Sequence, residues 1–117
     1  MDLIALLSSG KGTWAQVEGV IKKGEWERII LIGDSFAKDF KVEGKPSEFI
    51  KVDLTKGLKN LKQEILEKLK GKIYGLEVAL TIASGSGKEH MALISAIIDL
   101  PAGIKFVALT KEGMVTL

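Results

Sequence analysis

The residues Ala83-Ser84-Gly85-Ser86-Gly87-Lys88 stand between an apolar run ending at Ile82 and a strongly apolar segment that reaches Ile98. Small residues in such a turn let backbone N–H groups converge on a ligand. The helix that follows adds the positive end of its dipole, and Lys88 adds a full charge. The chemistry this suits is anion binding, with a phosphate or a carboxylate as guest. The same residues equally suit a tight strand-to-helix turn that binds nothing, so both readings stand at this point.

A P-loop is the familiar form of this chemistry, and it requires glycine at position 82 and a magnesium-binding Ser or Thr at position 89. The chain has Ile82 and Glu89 there. A carboxylate cannot replace the hydroxyl and would repel incoming phosphates, which excludes an ordinary ATPase or GTPase. A second loop, Ser8-Ser9-Gly10-Lys11-Gly12, follows the first apolar run, and Gly10 to Ala15 fits the dinucleotide pattern G-x-G-x-x-A. Asp34 lies where such a pattern places a ribose-binding acid. The chain has no second half to carry hydride chemistry, so a tight turn explains those glycines and a solvated turn acid explains Asp34.

With 117 residues, 46% of them hydrophobic and 27% charged, the chain can bury one core, and a single domain over residues 1–117 is expected. No apolar run approaches the roughly 20 residues that span a bilayer. MDLIALLSS reads as a first strand rather than a signal peptide. The formal net charge of +2 gives no strong field, so duplex nucleic acid and membrane are not expected partners. There is no cysteine, which removes disulfides, thiolate nucleophiles and zinc-thiolate sites. His90 is the lone histidine, so neither a metal cluster nor a metal cofactor is expected. A cytoplasmic location is expected. Asn60 is the only asparagine, and Gln16 and Gln63 are the only glutamines, while lysine and glutamate supply most of the charge. That bias suggests a thermophilic source.

These loops need a scaffold, and apolar strands alternate with amphipathic helices along the chain to supply one. Strands are expected near Leu3 to Leu7, Arg28 to Ile32, Glu48 to Val52, Glu77 to Ile82 and Ile104 to Leu109, with a closing hairpin strand from Met114 to Leu117. A first helix starts near Thr13 and buries Trp14, Val17, Val20 and Ile21. A second is capped by Asp53 or Thr55 and buries Leu58, Leu61, Ile65 and Leu69, with Glu64 set to meet Lys68. A third runs from near Lys88 to Ile98 and has almost no polar side, so it is sandwiched deeply or covered by another subunit. Met91 reads as core and His90 as a packing or capping residue. The fold class expected is α/β, a Rossmann-like three-layer sandwich. Its mainly parallel sheet has the order 3-2-1-4-5, and a C-terminal antiparallel strand closes it. Strands one and four are then neighbours, and the loops Ser8 to Gly12 and Ala83 to Lys88 meet over one crevice.

SGSGKEHMALISA from Ser84 to Ala96 and the loop SSGKGTW from Ser8 to Trp14 resemble the CARF family, the CRISPR-associated Rossmann-like domains that sense cyclic oligoadenylates. The chain departs from that family's common Thr-Gly-Gly-Thr-Lys turn, since Ser86 separates its two glycines and Lys88 follows Gly87 directly. The resemblance implies a homodimer whose paired crevices bind a ring of phosphates. It also implies ligand contacts at Ser8, Ser9, Gly10, Lys11, Ser84, Gly85, Ser86, Gly87 and Lys88.

Three functions follow. The leading one is a ligand-sensing domain that binds a cyclic oligoadenylate or a related nucleotide anion at a two-fold dimer crevice. The second is a metal-independent ring nuclease, in which a ribose 2′-hydroxyl attacks the adjacent phosphate while Ser9 positions and Lys88 stabilises. The third is a dimerisation or docking domain with an empty crevice.

Overall fold

The computed structural model describes residues 1–8 and 13–117. Six strands form one sheet in the order β3-β2-β1-β4-β5-β6. They are β1 (Leu3–Leu7), β2 (Ile29–Gly33), β3 (Ser47–Lys51), β4 (Glu77–Thr81), β5 (Gly103–Thr110) and β6 (Gly113–Thr116). All pairings are parallel except β5 with β6, which form the expected antiparallel hairpin. Strands β1 and β2 are buried at every position, which is why LIALL and IILIG read as unbroken apolar runs rather than alternating ones.

Three helices, α1 (Trp14–Lys23), α2 (Leu58–Leu69) and α3 (Gly87–Asp99), cover the two faces. On one face Ile4, Leu6, Ile30, Ile32 and Leu80 meet Leu61, Ile65 and Leu69 of α2 and Leu93 and Ile97 of α3. On the other, Leu3, Ala5, Leu7 and Ile29 meet Val17, Val20 and Ile21 of α1. No α-helix joins β2 to β3, only a single 3-10 turn at Ser35–Ala37. Ala37, Phe40 and Val42, from the connection between them, pack beside α1 in that helix's place. Each fully buried Leu or Ile contributes about 1.5–3 kcal/mol of transfer free energy.

At the amino ends of the strands, Arg28 pairs with Asp2 at 3.1 Å, donates to the Lys72 carbonyl and lies 4.3 Å from the centre of the Tyr74 ring. These contacts close the end of the sheet opposite the loops of interest. Among the described residues, no helix is long and apolar enough to cross a membrane.

Three expectations are corrected. Helix α2 is capped not by Asp53 or Thr55 but by Gly57, because the Asp53 carboxylate instead accepts from the Thr55 N–H and hydroxyl in a turn of its own. The helix consequently starts at Leu58, which is exposed rather than core. Met91 is also not core: it is 57% exposed on the outer side of α3.

Candidate functional site

The carboxyl ends of β1 and β4 lie side by side, with Leu3, Ile4 and Ala5 in register with Ala79, Leu80 and Thr81. A turn leaving β4 and a loop leaving β1 therefore start next to each other. The fully buried Ser84 hydroxyl accepts a hydrogen bond from the Ser8 N–H at 2.9 Å, joining segments 76 residues apart. The Ser8 carbonyl accepts from the Trp14 indole N–H at 2.8 Å, which ties the start of α1 to the same point. Ser8 and Ser84 are thus brought together as the topology expects. Ser9, Gly10 and Lys11, together with Gly12, lie outside the described residues.

The β4–α3 turn is built for its own closure as well as for approach. Gly85 has φ +108°, and a Cβ there would lie 2.5 Å from Leu6 Cδ2, so no other residue fits without strain. His90 Nε2 lies 2.9 Å from the Ser84 carbonyl and holds the turn from the first turn of α3. Ser86 is the N-cap of α3: its hydroxyl accepts from the Glu89 N–H, while the Glu89 carboxylate accepts from the Ser86 N–H at 2.8 Å. This reciprocal pair is a capping box, legible in the sequence as Ser-x-x-Glu but absent from the reading above. It explains Glu89: the carboxylate that rules out a P-loop here satisfies a helix end.

Two donors of that first turn remain open. Among the described residues, the Gly87 and Lys88 N–H groups have no hydrogen-bond partner, and a Cβ on Gly87 would meet nothing within 4 Å. The turn therefore presents two N–H groups without partners among the described residues at the positive end of α3. The Lys88 ammonium does not join them. It donates to the Leu54 carbonyl at 2.9 Å and the Lys56 carbonyl at 2.8 Å, both in the loop between β3 and α2. The sequence gives no sign of this role, because it depends on where a loop more than 30 residues earlier passes in space.

Trp14 is half-buried, with edge contacts to Phe36 at 5.9 Å and Phe40 at 5.8 Å, so it packs with the α1-side core. Among the described residues, the buried Thr81 hydroxyl at the end of β4 has no hydrogen-bond partner.

A cavity of about 590 Å³ lies elsewhere along the carboxyl edge, at the ends of β2 and β3, lined by Asp34, Asp53, Glu64 and Lys68 among others. The groups named here already have partners of their own, as Asp53 does in the Thr55 turn. Glu64 pairs with Lys68 at 2.9 Å and Lys56 at 3.2 Å and accepts from the Asp53 N–H, and Asp34 caps the short turn Ser35–Ala37. The open donors of α3 therefore make the β1–β4 junction the stronger candidate. Among the described residues, no group of three or more His, Cys, Asp or Glu could hold a metal ion. The chain matches no protein-family model and no curated protein.

Proposed function

We propose that the chain is a ligand-sensing domain that binds a nucleotide-type anion at the junction of β1 and β4, within a two-fold homodimer. The observation that carries this reading is the pair of open N–H groups, Gly87 and Lys88, beside the buried Ser8–Ser84 hydrogen bond. The hydrogen bond joins Ser8, after β1, to Ser84, after β4, where an open α/β sheet takes its ligands, and the open donors offer hydrogen bonds and the partial positive charge of a helix end. The resemblance to the CARF family makes a cyclic oligoadenylate the first ligand to try.

Binding is favoured over cleavage. Among the described residues, the lysine assigned to stabilising the reacting phosphate, Lys88, gives its ammonium to the carbonyls of Leu54 and Lys56 instead. The test is a panel of cyclic tetra-adenylate, cyclic hexa-adenylate, ATP and NAD, with melting temperature and nucleotide products both followed. A ligand held a hundredfold above its Kd stabilises the fold by about 2.7 kcal/mol, which raises the melting temperature by several degrees. The expected result is a rise with a cyclic oligoadenylate and no linear product. A flat panel overturns the reading, and linear products would replace it with the enzyme.

A further inference from the structure

Asp34 and Asp53 stand just past the carboxyl ends of two neighbouring strands, β2 and β3. Each commits one carboxylate oxygen to its own turn. Asp34 Oδ1 accepts from the Phe36 N–H at 3.0 Å, and Asp53 Oδ1 accepts from the Thr55 N–H at 3.0 Å and from the Thr55 hydroxyl. Among the described residues the second oxygen of each has no hydrogen-bond partner, and both residues line the 590 Å³ cavity at this edge. The third carboxylate of the lining, Glu64, is held by Lys56 and Lys68.

That lining restricts the guest. Lys51 and Lys68 offset the carboxylates, so the cavity offers no strong field to either a phosphate or a cation. Val52 and Leu54 are buried, which leaves no apolar floor for a hydrophobic ligand. Two open carboxylate oxygens, with the Lys51 ammonium unpaired among the described residues, suit a neutral group that both donates and accepts. Sugar hydroxyls have that chemistry. The cavity also adjoins the open donors of α3. The Leu54 carbonyl, on its wall, accepts from the Lys88 ammonium at 2.9 Å, while the Lys88 N–H is one of those donors. One lysine side chain thus spans the step from the helix end to the cavity.

We propose that this cavity takes the ribose of a nucleotide, with Asp34 and Asp53 accepting hydrogen bonds from its hydroxyls, and that it thereby separates ribonucleotides from deoxyribonucleotides. A nucleotide carries a phosphate and, a few bonds away, a hydroxylated sugar, which is the pairing that the helix end and the cavity offer. An acid at the end of the second strand of an open α/β sheet is placed for this contact, and a hydroxyl donating to a carboxylate makes one of the stronger hydrogen bonds. The proposal rests on the nucleotide reading above for its phosphate, whereas the sugar subsite stands on the cavity. A free sugar has the same hydroxyls, so the test separates the two sources.

Amide NMR of the full 12.7 kDa chain reads both subsites at once. Inorganic phosphate should move the Gly87 and Lys88 signals, and adenosine should move those of Asp34, Ser35 and Asp53. Adenosine 5′-monophosphate should move both sets and bind more tightly than either. Its 2′-deoxy analogue should bind at least about tenfold more weakly, the scale of one hydrogen bond to a charged acceptor. Asp34→Asn keeps the oxygen that caps Ser35–Ala37 and replaces the other with an amide, so it should keep the fold and reduce that discrimination. Equal affinity for the ribo and deoxy compounds overturns the proposal. So do Asp34 and Asp53 signals that neither adenosine nor its monophosphate moves. Ribose that binds as tightly as the monophosphate would make this a free-sugar site and overturn the nucleotide assignment. If phosphate leaves Gly87 and Lys88 unmoved while adenosine still moves Asp34 and Asp53 and 2′-deoxyadenosine does not, the anion reading falls and the ribose subsite stands.

Discussion

Ser84 carries the junction through a single oxygen atom. Replacing it with alanine leaves the Ser8 N–H buried beside a methyl group, and an orphaned buried donor costs about 1–3 kcal/mol. Urea denaturation of Ser84→Ala should show that loss as a lower midpoint with an unchanged slope, and an unchanged midpoint would mean the two loops are held by something else. Glu64 offers a second test. Burial alone would raise its carboxyl pKa, but hydrogen bonds from Lys68, the Asp53 N–H and Lys56 outweigh burial and hold it below the ordinary value of 4.5. A folded-state pKa below the unfolded one stabilises fully above the ordinary glutamate range, and the contribution disappears as pH falls through the lowered value. Wild type should therefore exceed Glu64→Gln in stability at neutral pH, with the gap closing in acid; a gap that persists in acid contradicts the assignment. The sequence revealed the turn at this scale, since Ser84, Gly85 and Ser86 are residue types that close one. It did not reveal that a Cβ at position 85 would strike Leu6, because that contact joins strands far apart in the chain.

At the scale of elements, the strand and helix order was legible because short unbroken apolar runs such as LIALL and IILIG alternate with helices of clear period. The Glu64–Lys68 pair was legible for the same reason, being one helical turn apart. The start of α2 was not. Asp53 and Thr55 have the composition of a cap, yet they spend their hydrogen bonds on each other, and Gly57 begins the helix four residues after Asp53. The same loop decides the fate of Lys88. By bracketing the carbonyls of Leu54 and Lys56, its ammonium ties α3 to the loop that leads into α2. Lys88→Met should thus lower stability by about 1–2 kcal/mol, the usual size for lost hydrogen bonds to a charged group that water partly replaces. Nucleotide affinity should change little by comparison, because the open N–H groups remain. A large loss of affinity at unchanged stability would return the lysine to the crevice.

At the scale of the whole molecule, right-handed crossovers leave few ways to arrange the five parallel strands, and the order with β1 beside β4 is one of them. That adjacency places Ser8 against Ser84. Whether the amphipathic helices complete the core alone was not decidable from sequence, since the almost wholly apolar α3 fits both burial and a partner. The structure divides it, with one side in the core and a ridge outside.

The central claim, that the first turn of α3 seats a nucleotide anion, is tested most directly at Gly87. This residue opens α3, and among the described residues a Cβ there meets nothing within 4 Å. Gly87→Asp should keep or raise the melting temperature, because replacing glycine in a helix and placing an acid at its first position both stabilise. The same carboxylate would occupy and repel the anion's position. Calorimetric titration with cyclic tetra-adenylate should show wild-type binding and a loss of at least about tenfold in Gly87→Asp, the scale of one charge-assisted contact. Equal affinity in the two proteins, or no binding to wild type, would contradict the account.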